Sequence, residues 1–314
     1  MLKEMERMQN GILPLWKEKG MTSHDCVFKL RKILKMKRIG HTGTLDPSVE
    51  GVLPICLGES TKVAEYLTNA GKEYVAEVTI GSSTTTEDAD GEVVEVNNIF
   101  KEFSREHIVS VLTSLTGVIE QTPPMYSAVK VNGKKLYEYA RQGLIIERPS
   151  REVTIYEMEL LSEESSFSGE QVTFRIRVAC SKGTYIRTLA VQIGETLGYP
   201  AHMSKLVRTA SGSFTEADCL TLGQVQEKVE SGTLTDKLFP LDYALHDMPK
   251  VEVPQSMEKS IQNGQVLEAN DELRQHERVV FTNKGQAVAV YINHPTKVGK
   301  MKPEKMFSWE IEEE

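Results

Sequence analysis

The sequence has no apolar run approaching the roughly 18–20 residues that span a bilayer. Met1 to Gly11 mixes acids and bases without an apolar segment, so no secretory signal is expected there. Cysteine is scarce: Cys26, Cys56, Cys180 and Cys219 lie far apart, and no pair forms a C-x-x-C. A zinc site of the usual spacing is therefore not expected, and neither is a disulfide framework. No internal repeat is visible, and no low-complexity segment beyond the acidic tail Glu310-Ile311-Glu312-Glu313-Glu314. These absences lead us to expect a soluble, cytoplasmic protein with no membrane role and no metal.

Net positive charge is also lacking. The formal charge is −8, which by itself weighs against a nucleic-acid partner, because phosphate binding needs clustered cations. Distribution matters more than the sum. Acids concentrate in the tail and around Glu159 to Glu170, which reads as an exposed loop. Phe28 to His41 is the reverse: Lys29, Arg31, Lys32, Lys35, Lys37 and Arg38, with no acid among them.

With 314 residues, 39% hydrophobic and 26% charged, the chain can bury a substantial core in one large domain or two unequal ones. Ser23 is placed to cap a helix running to about Met36. At 100° per residue, Cys26, Val27, Leu30, Ile33 and Leu34 share one stripe, opposite Lys29, Arg31, Lys32 and Lys35. That basic face fits either a solvated surface or a phosphate-contacting helix. Tyr74 to Ile80 and Val172 to Cys180 alternate as half-buried strands, and Glu92 to Val96 reads as the partner strand after a polar turn from Thr84 to Gly91. Ser104 is placed to cap a helix ending near Gly117. Ile186, Leu189, Ala190 and Ile193 mark an amphipathic helix stopped by Gly198, with Arg187 in its first turn. Beyond Pro249 the pattern changes to short strands and turns, a β-rich module of roughly 65 residues.

Asp46 sits in a Gly-rich stretch between a leucine and a proline. Alone it would suit an Asx turn. A phosphate-binding P-loop is excluded, because no G-K-[ST] follows. The surrounding residues decide between readings: GHTGTLDP from Gly40 to Pro47, continuing through GVLPICLGESTK, resembles the catalytic motif of the TruB-type pseudouridine synthases. WKEKGMTSHD (Trp16 to Asp25), KEYVAEVTIG (Lys72 to Gly81), QTPPMYSAVKVNGKKLYEYAR (Gln121 to Arg141), CSKGTYIRTLA (Cys180 to Ala190) and AHMSKLVRTASGSF (Ala201 to Phe214) resemble the family's other motifs, in family order. One departure is Glu18, where the family usually has proline; its absence bears on a local turn and on no proposed catalytic group.

The resemblance implies roles residue by residue. Asp46 matches the essential catalytic aspartate, Arg187 the arginine paired with it, and Tyr74 the tyrosine that stacks on the target base and takes part in proton transfer. Tyr185 and Leu206 match walls of the uracil pocket, and His41 a histidine contacting the T-loop. Residues from about 125 to 151 resemble a mobile insertion that closes over RNA. In that context Lys29, Lys32, Lys35 and Lys130 are expected to hold the RNA backbone. The implied fold is α+β: a mixed, mainly antiparallel central sheet with flanking helices over residues 1–248, and a small β-rich PUA-like domain over 249–314.

The implied reaction converts uridine 55 in the tRNA T-loop to pseudouridine. Atoms are conserved, so no cofactor is called for. Breaking the glycosidic bond builds positive charge at the sugar, which a carboxylate stabilises or traps. The target uridine must be flipped out of its loop. A monomer acting without a guide RNA is expected. The alternatives are an RNA-binding or RNA-folding protein on the same scaffold, and an RNA-guided relative.

Overall fold

Alternating apolar residues build the central sheet. In a computed structural model describing residues 10–309, β1 (Gly11–Lys17) leads to a short β2 (Ile39–His41) and then β3 (Glu50–Leu57), which pairs antiparallel with both. The readings of the extreme N-terminus and of the acidic tail lie largely outside the described residues. Next in the chain come β4 (Lys72–Ile80), β5 (Gly117–Gln121), β6 (Arg151–Leu160), β7 (Val172–Cys180), β8 (Ala201–Ser211) and β9 (Phe214–Thr215). They complete a nine-stranded sheet in the order β1-β3-β8-β4-β7-β6-β5, with β2 on β3 and β9 on β8. Only the β3–β8 contact is parallel, so the sheet is mixed and mainly antiparallel. Tyr74, Ala76, Val78 and Ile80 of β4 and Val172, Phe174, Ile176, Val178 and Cys180 of β7 are all buried, as alternation predicts.

The parallel contact is close. Val207 pairs with Glu50 and Arg208 with Gly51. Gly51 has φ +131, and a Cβ there would lie 2.2 Å from the Arg208 carbonyl oxygen. Only glycine lets β8 approach at this point.

Four helices cover the core: α1 (Ser23–Ile33), α2 (Arg105–Ser114), α3 (Ile186–Leu197) and α4 (Leu222–Ser231). Leu30 of α1, Ile108 of α2, Leu189 and Ile193 of α3 and Val225 of α4 are inaccessible within one hydrophobic cluster against the sheet. Ser104 caps α2, accepting from the His107 N–H at 3.2 Å, and Gly198 ends α3 in the left-handed region.

Three local expectations change. The cap of α1 is Thr22, in a reciprocal capping box with Asp25, and the helix ends at Ile33 rather than Met36. Ser23 is instead buried in the first turn, where its hydroxyl has another partner. Val93–Val96 does not pair with β4; it forms a separate ribbon with Ser82–Thr84, because Gly81 turns the chain away at φ +119. The stretch from Glu159 to Glu170 is only partly loop, since Glu159 lies in β6 and Ser166–Gly169 pairs with Lys101–Ser104.

The C-terminal segment forms a five-stranded sheet from β10 (Lys250–Glu252), β11 (Leu267–Glu268), β12 (Arg278–Asn283), β13 (Gln286–Asn293) and β14 (Lys300–Met306), ordered β10-β12-β13-β14-β11. It packs on the rest of the chain through Val63, Leu245, Val280, Val290 and Phe307. Polar contacts flank that cluster: Lys62 Nζ donates to the Met306 carbonyl at 2.7 Å and Tyr66 Oη to Glu304 at 2.7 Å. Among the described residues no helix is long and apolar enough to cross a membrane.

Candidate active site

Asp46 stands on the loop between β2 and β3, and three contacts fix that loop. Lys17, inaccessible at the end of β1, donates its Nζ to the Val49 carbonyl at 2.6 Å and lies 3.4 Å from that of Pro47. Ser23 Oγ accepts from the Leu45 N–H at 2.9 Å. Thr42, also buried, donates to the Pro54 carbonyl at 3.0 Å. The loop is thus tied to β1, to α1 and to β3, and the aspartate is presented by a braced backbone.

Arg187 reaches it from the first turn of α3. Its Nη2 is 3.2 Å from Asp46 Oδ2 and its Nη1 3.4 Å from Asp88 Oδ2. The same two nitrogens donate to the carbonyls of Tyr126, at 2.9 Å, and Thr86, at 3.0 Å. The guanidinium is 7% exposed, yet it is held by two carboxylates and two carbonyls. Such a buried cation is tolerable because its donors are occupied.

The Asp46 side chain keeps 42% of its surface open. Burial of its remaining surroundings pushes its pKa above the ordinary aspartate value; Arg187 opposes this, Asp88 adds to it and Lys17 opposes it. Tyr74 is buried on β4, and that burial raises its pKa, with Arg208 acting against the shift. His41, half-buried in β2, has its pKa lowered by burial, and its Nδ1 lies 3.0 Å from the Gly43 carbonyl.

The other expected residues lie on several elements. Tyr185 is the cap residue of α3, with its backbone clamped by Gln121, whose Oε1 accepts from the Tyr185 N–H at 2.9 Å. Its ring faces the Arg151 guanidinium at 5.1 Å. Leu206 is half-buried on β8, opposite Ala76 of β4. Lys29, Lys32 and Lys35 are all exposed, with Lys32 lying over the Phe28 ring at 4.4 Å. Lys35 is beyond the helix end, at φ +50. Lys130 is exposed on a small ribbon formed with Lys134–Lys135, within the insertion and away from the ion pair in sequence. Among the described residues no group of His, Cys, Asp or Glu is placed to hold a metal ion.

Comparison with known proteins identifies the family of the chain. The model of the TruB family pseudouridylate synthase N-terminal domain matches residues 31–186, and that of the tRNA pseudouridylate synthase B C-terminal domain matches 187–246. A protein named tRNA pseudouridine synthase B from Geobacillus thermodenitrificans is 56% identical over 95% of this chain and 99% of its own length. One of the same name from Listeria innocua is 55% identical over 95% of this chain and 98% of its own. The chain belongs to the TruB family.

Solved structures agree with that placement. A chain in the "Crystal Structure of a Cbf5-Nop10-Gar1 Complex" superposes with a TM-score of 0.69 at 30% identity, over 97% of this chain and 87% of the other. A chain in an H/ACA RNP bound to a substrate RNA containing 2'-deoxyuridine gives a TM-score of 0.70 at 28% identity, over 98% and 87%.

Three neighbours of this ion pair escape the reading of the sequence. Asp88 shares Arg187; its only sequence signal is an acid inside the polar turn, in Glu87-Asp88-Ala89-Asp90. It is 8% exposed and accepts from Thr86 Oγ1 at 2.5 Å and from the Asp90 N–H at 3.1 Å. Lys17 braces the Asp46 loop through backbone carbonyls, which leave no trace in side-chain patterns. The carbonyl of Tyr126 ties the base of the insertion to Arg187. Glu18, at the family's proline position, is exposed, and its carbonyl accepts from Lys17 Nζ at 3.1 Å.

Proposed function

We propose that this TruB-family tRNA pseudouridine synthase converts uridine 55 of the tRNA T-loop to pseudouridine, as a monomer, in the cytoplasm and without a guide RNA. The observation that carries the reading is the 3.2 Å ion pair between Asp46, whose side chain is partly exposed, and Arg187, which is buried. The uridine is flipped out of its loop into the space beside Asp46, with Tyr74 against the base and Tyr185 and Leu206 as walls. Arg187 keeps the carboxylate ionised despite its burial. The ionised carboxylate meets the positive charge that develops at C1′ as the glycosidic bond breaks. Apolar walls hold the detached uracil and keep water from the sugar, so that rotation and C5 attachment replace hydrolysis. The lysines of α1 and Lys130 hold the RNA backbone around the flipped nucleotide.

The fold is also like that of a chain from an H/ACA RNP, so an RNA-guided reading has an observation behind it. The bacterial relatives named as tRNA pseudouridine synthases are more similar and match nearly their full length. The deciding experiment gives the purified protein an unmodified, C5-tritiated tRNA transcript with no other RNA. Stoichiometric tritium release is expected, and Asp46→Ala should lower the rate by at least about a thousandfold. Tight binding without release would favour an RNA-folding protein; release only with an added guide would favour the guided reading.

A further inference from the structure

Arg208 is 1% exposed and among the largest fully buried side chains of the molecule. Its Nε donates to the Val52 carbonyl at 2.6 Å, and its buried Nη2 has no hydrogen-bond partner. Among the described residues it forms no ion pair. A guanidinium cannot discard its proton, so β8 carries a full charge in the interior without a carboxylate to balance it. Hydrophobic packing alone would be better served by methionine or leucine.

The geometry around it is tightly fixed. Arg208 is in register with Tyr74 on β4 and with Gly51 on β3, and a bulge follows between Arg208 and Ala210. The missing Cβ of Gly51 admits its backbone. Its Nη1 approaches the catalytic loop, 3.6 Å from where a Cβ on Gly43 would stand. From the facing position on β8 its charge acts on the Tyr74 phenol, opposing the burial that raises that group's pKa. One side chain therefore bonds to β3, approaches the loop that carries Asp46 and lies across from the tyrosine against the base.

We infer that Arg208 is a positioning residue for Tyr74, fixing and polarising the phenol oxygen that faces the flipped uridine. This rests on the role given to Tyr74 above. The titratable and charged groups around that hydroxyl are Arg208 from β8, Cys180 from the end of β7 and Asp46 from the catalytic loop. Of these, only Arg208 carries positive charge.

A double-mutant cycle tests it, measured as single-turnover tritium release at saturating tRNA. Arg208→Met should slow the full-length enzyme by about tenfold to a hundredfold, with tRNA affinity within about twofold of the parent. In a Tyr74→Phe background, where no hydroxyl remains to be held, the same change should cost less than about threefold. Arg208→Lys should recover part of the rate, and it replaces the methionine variant in the cycle should that variant fail to fold. Equal losses in both backgrounds would overturn the inference while leaving Tyr74's role intact. Full activity of Tyr74→Phe alone would overturn the reading of Tyr74 and this inference with it.

Discussion

Asp46 is the group whose ionisation should limit turnover at low pH. Its pKa is raised by burial above the ordinary value of 3.8, with Arg187 resisting. Activity should therefore fall, as pH drops, at a higher pH than for an ordinary aspartate. Arg187→Met, which removes the opposing charge, should move that limb higher still. A pH profile of single-turnover rates checks both; an acid limb at or below the ordinary aspartate range would contradict the burial argument. The same shift has a sign for stability. A carboxyl with a raised folded-state pKa contributes stability below its unfolded value, and that contribution is lost as pH rises through the folded pKa. At neutral pH the ionised Asp46 is thus a cost to the fold. On the sequence alone, Asp46→Asn would strand Arg187 before a neutral partner. In the structure Arg187 keeps Asp88 and the carbonyls of Thr86 and Tyr126. We expect Asp46→Asn to abolish turnover while melting at or above the parent temperature at neutral pH. A clear drop in melting temperature would mean that the pair stabilises the fold.

At the scale of elements, what is legible in the sequence follows periodicity. β4, β7, α2 and α3 are where alternation and the 3.6-residue repeat place them, because each has one face toward a single core. The start of α1 is not resolved by pattern, since Thr22 and Ser23 are both good caps. The choice is made by a distant group: the Leu45 N–H needs an acceptor and takes Ser23, leaving Thr22 to cap. The two hydroxyls should accordingly fail differently. Thr22→Ala should destabilise by about 1 kcal/mol with little effect on rate. Ser23→Ala leaves a buried N–H unpaired, costing about 1–3 kcal/mol, and should slow turnover by loosening the loop that bears Asp46. Thermal melts beside single-turnover rates distinguish them, and identical behaviour would refute the division of labour. The basic face of the helix is a separate matter. Replacing Lys29, Lys32 and Lys35 with glutamine should flatten the salt dependence of tRNA binding by about 0.7 in log–log slope for each phosphate that is no longer neutralised. An unchanged slope would make the face a solvated surface.

Across the whole molecule, the resemblance carried by the ordered motifs implies the sheet that is found, whereas the joint between the sheet and the C-terminal module leaves little trace in the sequence. Val63, Tyr66, Leu245 and Phe307 belong to no shared periodicity; they meet because two sheets are brought together across more than two hundred residues of chain. Removing the chain after Met248 would uncover Val63 and Leu245, both inaccessible in the intact protein, and take Glu304 from Tyr66 and the Met306 carbonyl from Lys62. Two such aliphatic side chains are worth about 3–6 kcal/mol together, an upper figure because neighbours can settle over them. For a core of this size that corresponds to a loss on the order of 10 °C in melting temperature. The ion pair of Asp46 and Arg187 and every group that braces it lie in the part that remains. Below its own melting transition, the truncated chain should bind tRNA more weakly, yet its single-turnover rate at saturating tRNA should stay within about tenfold of the parent. An unchanged melting temperature would mean that the joint contributes little to the fold. A folded truncated chain inactive at every RNA concentration would instead make the module part of the catalytic geometry, transmitted through the helical segment on which Val63 and Tyr66 sit.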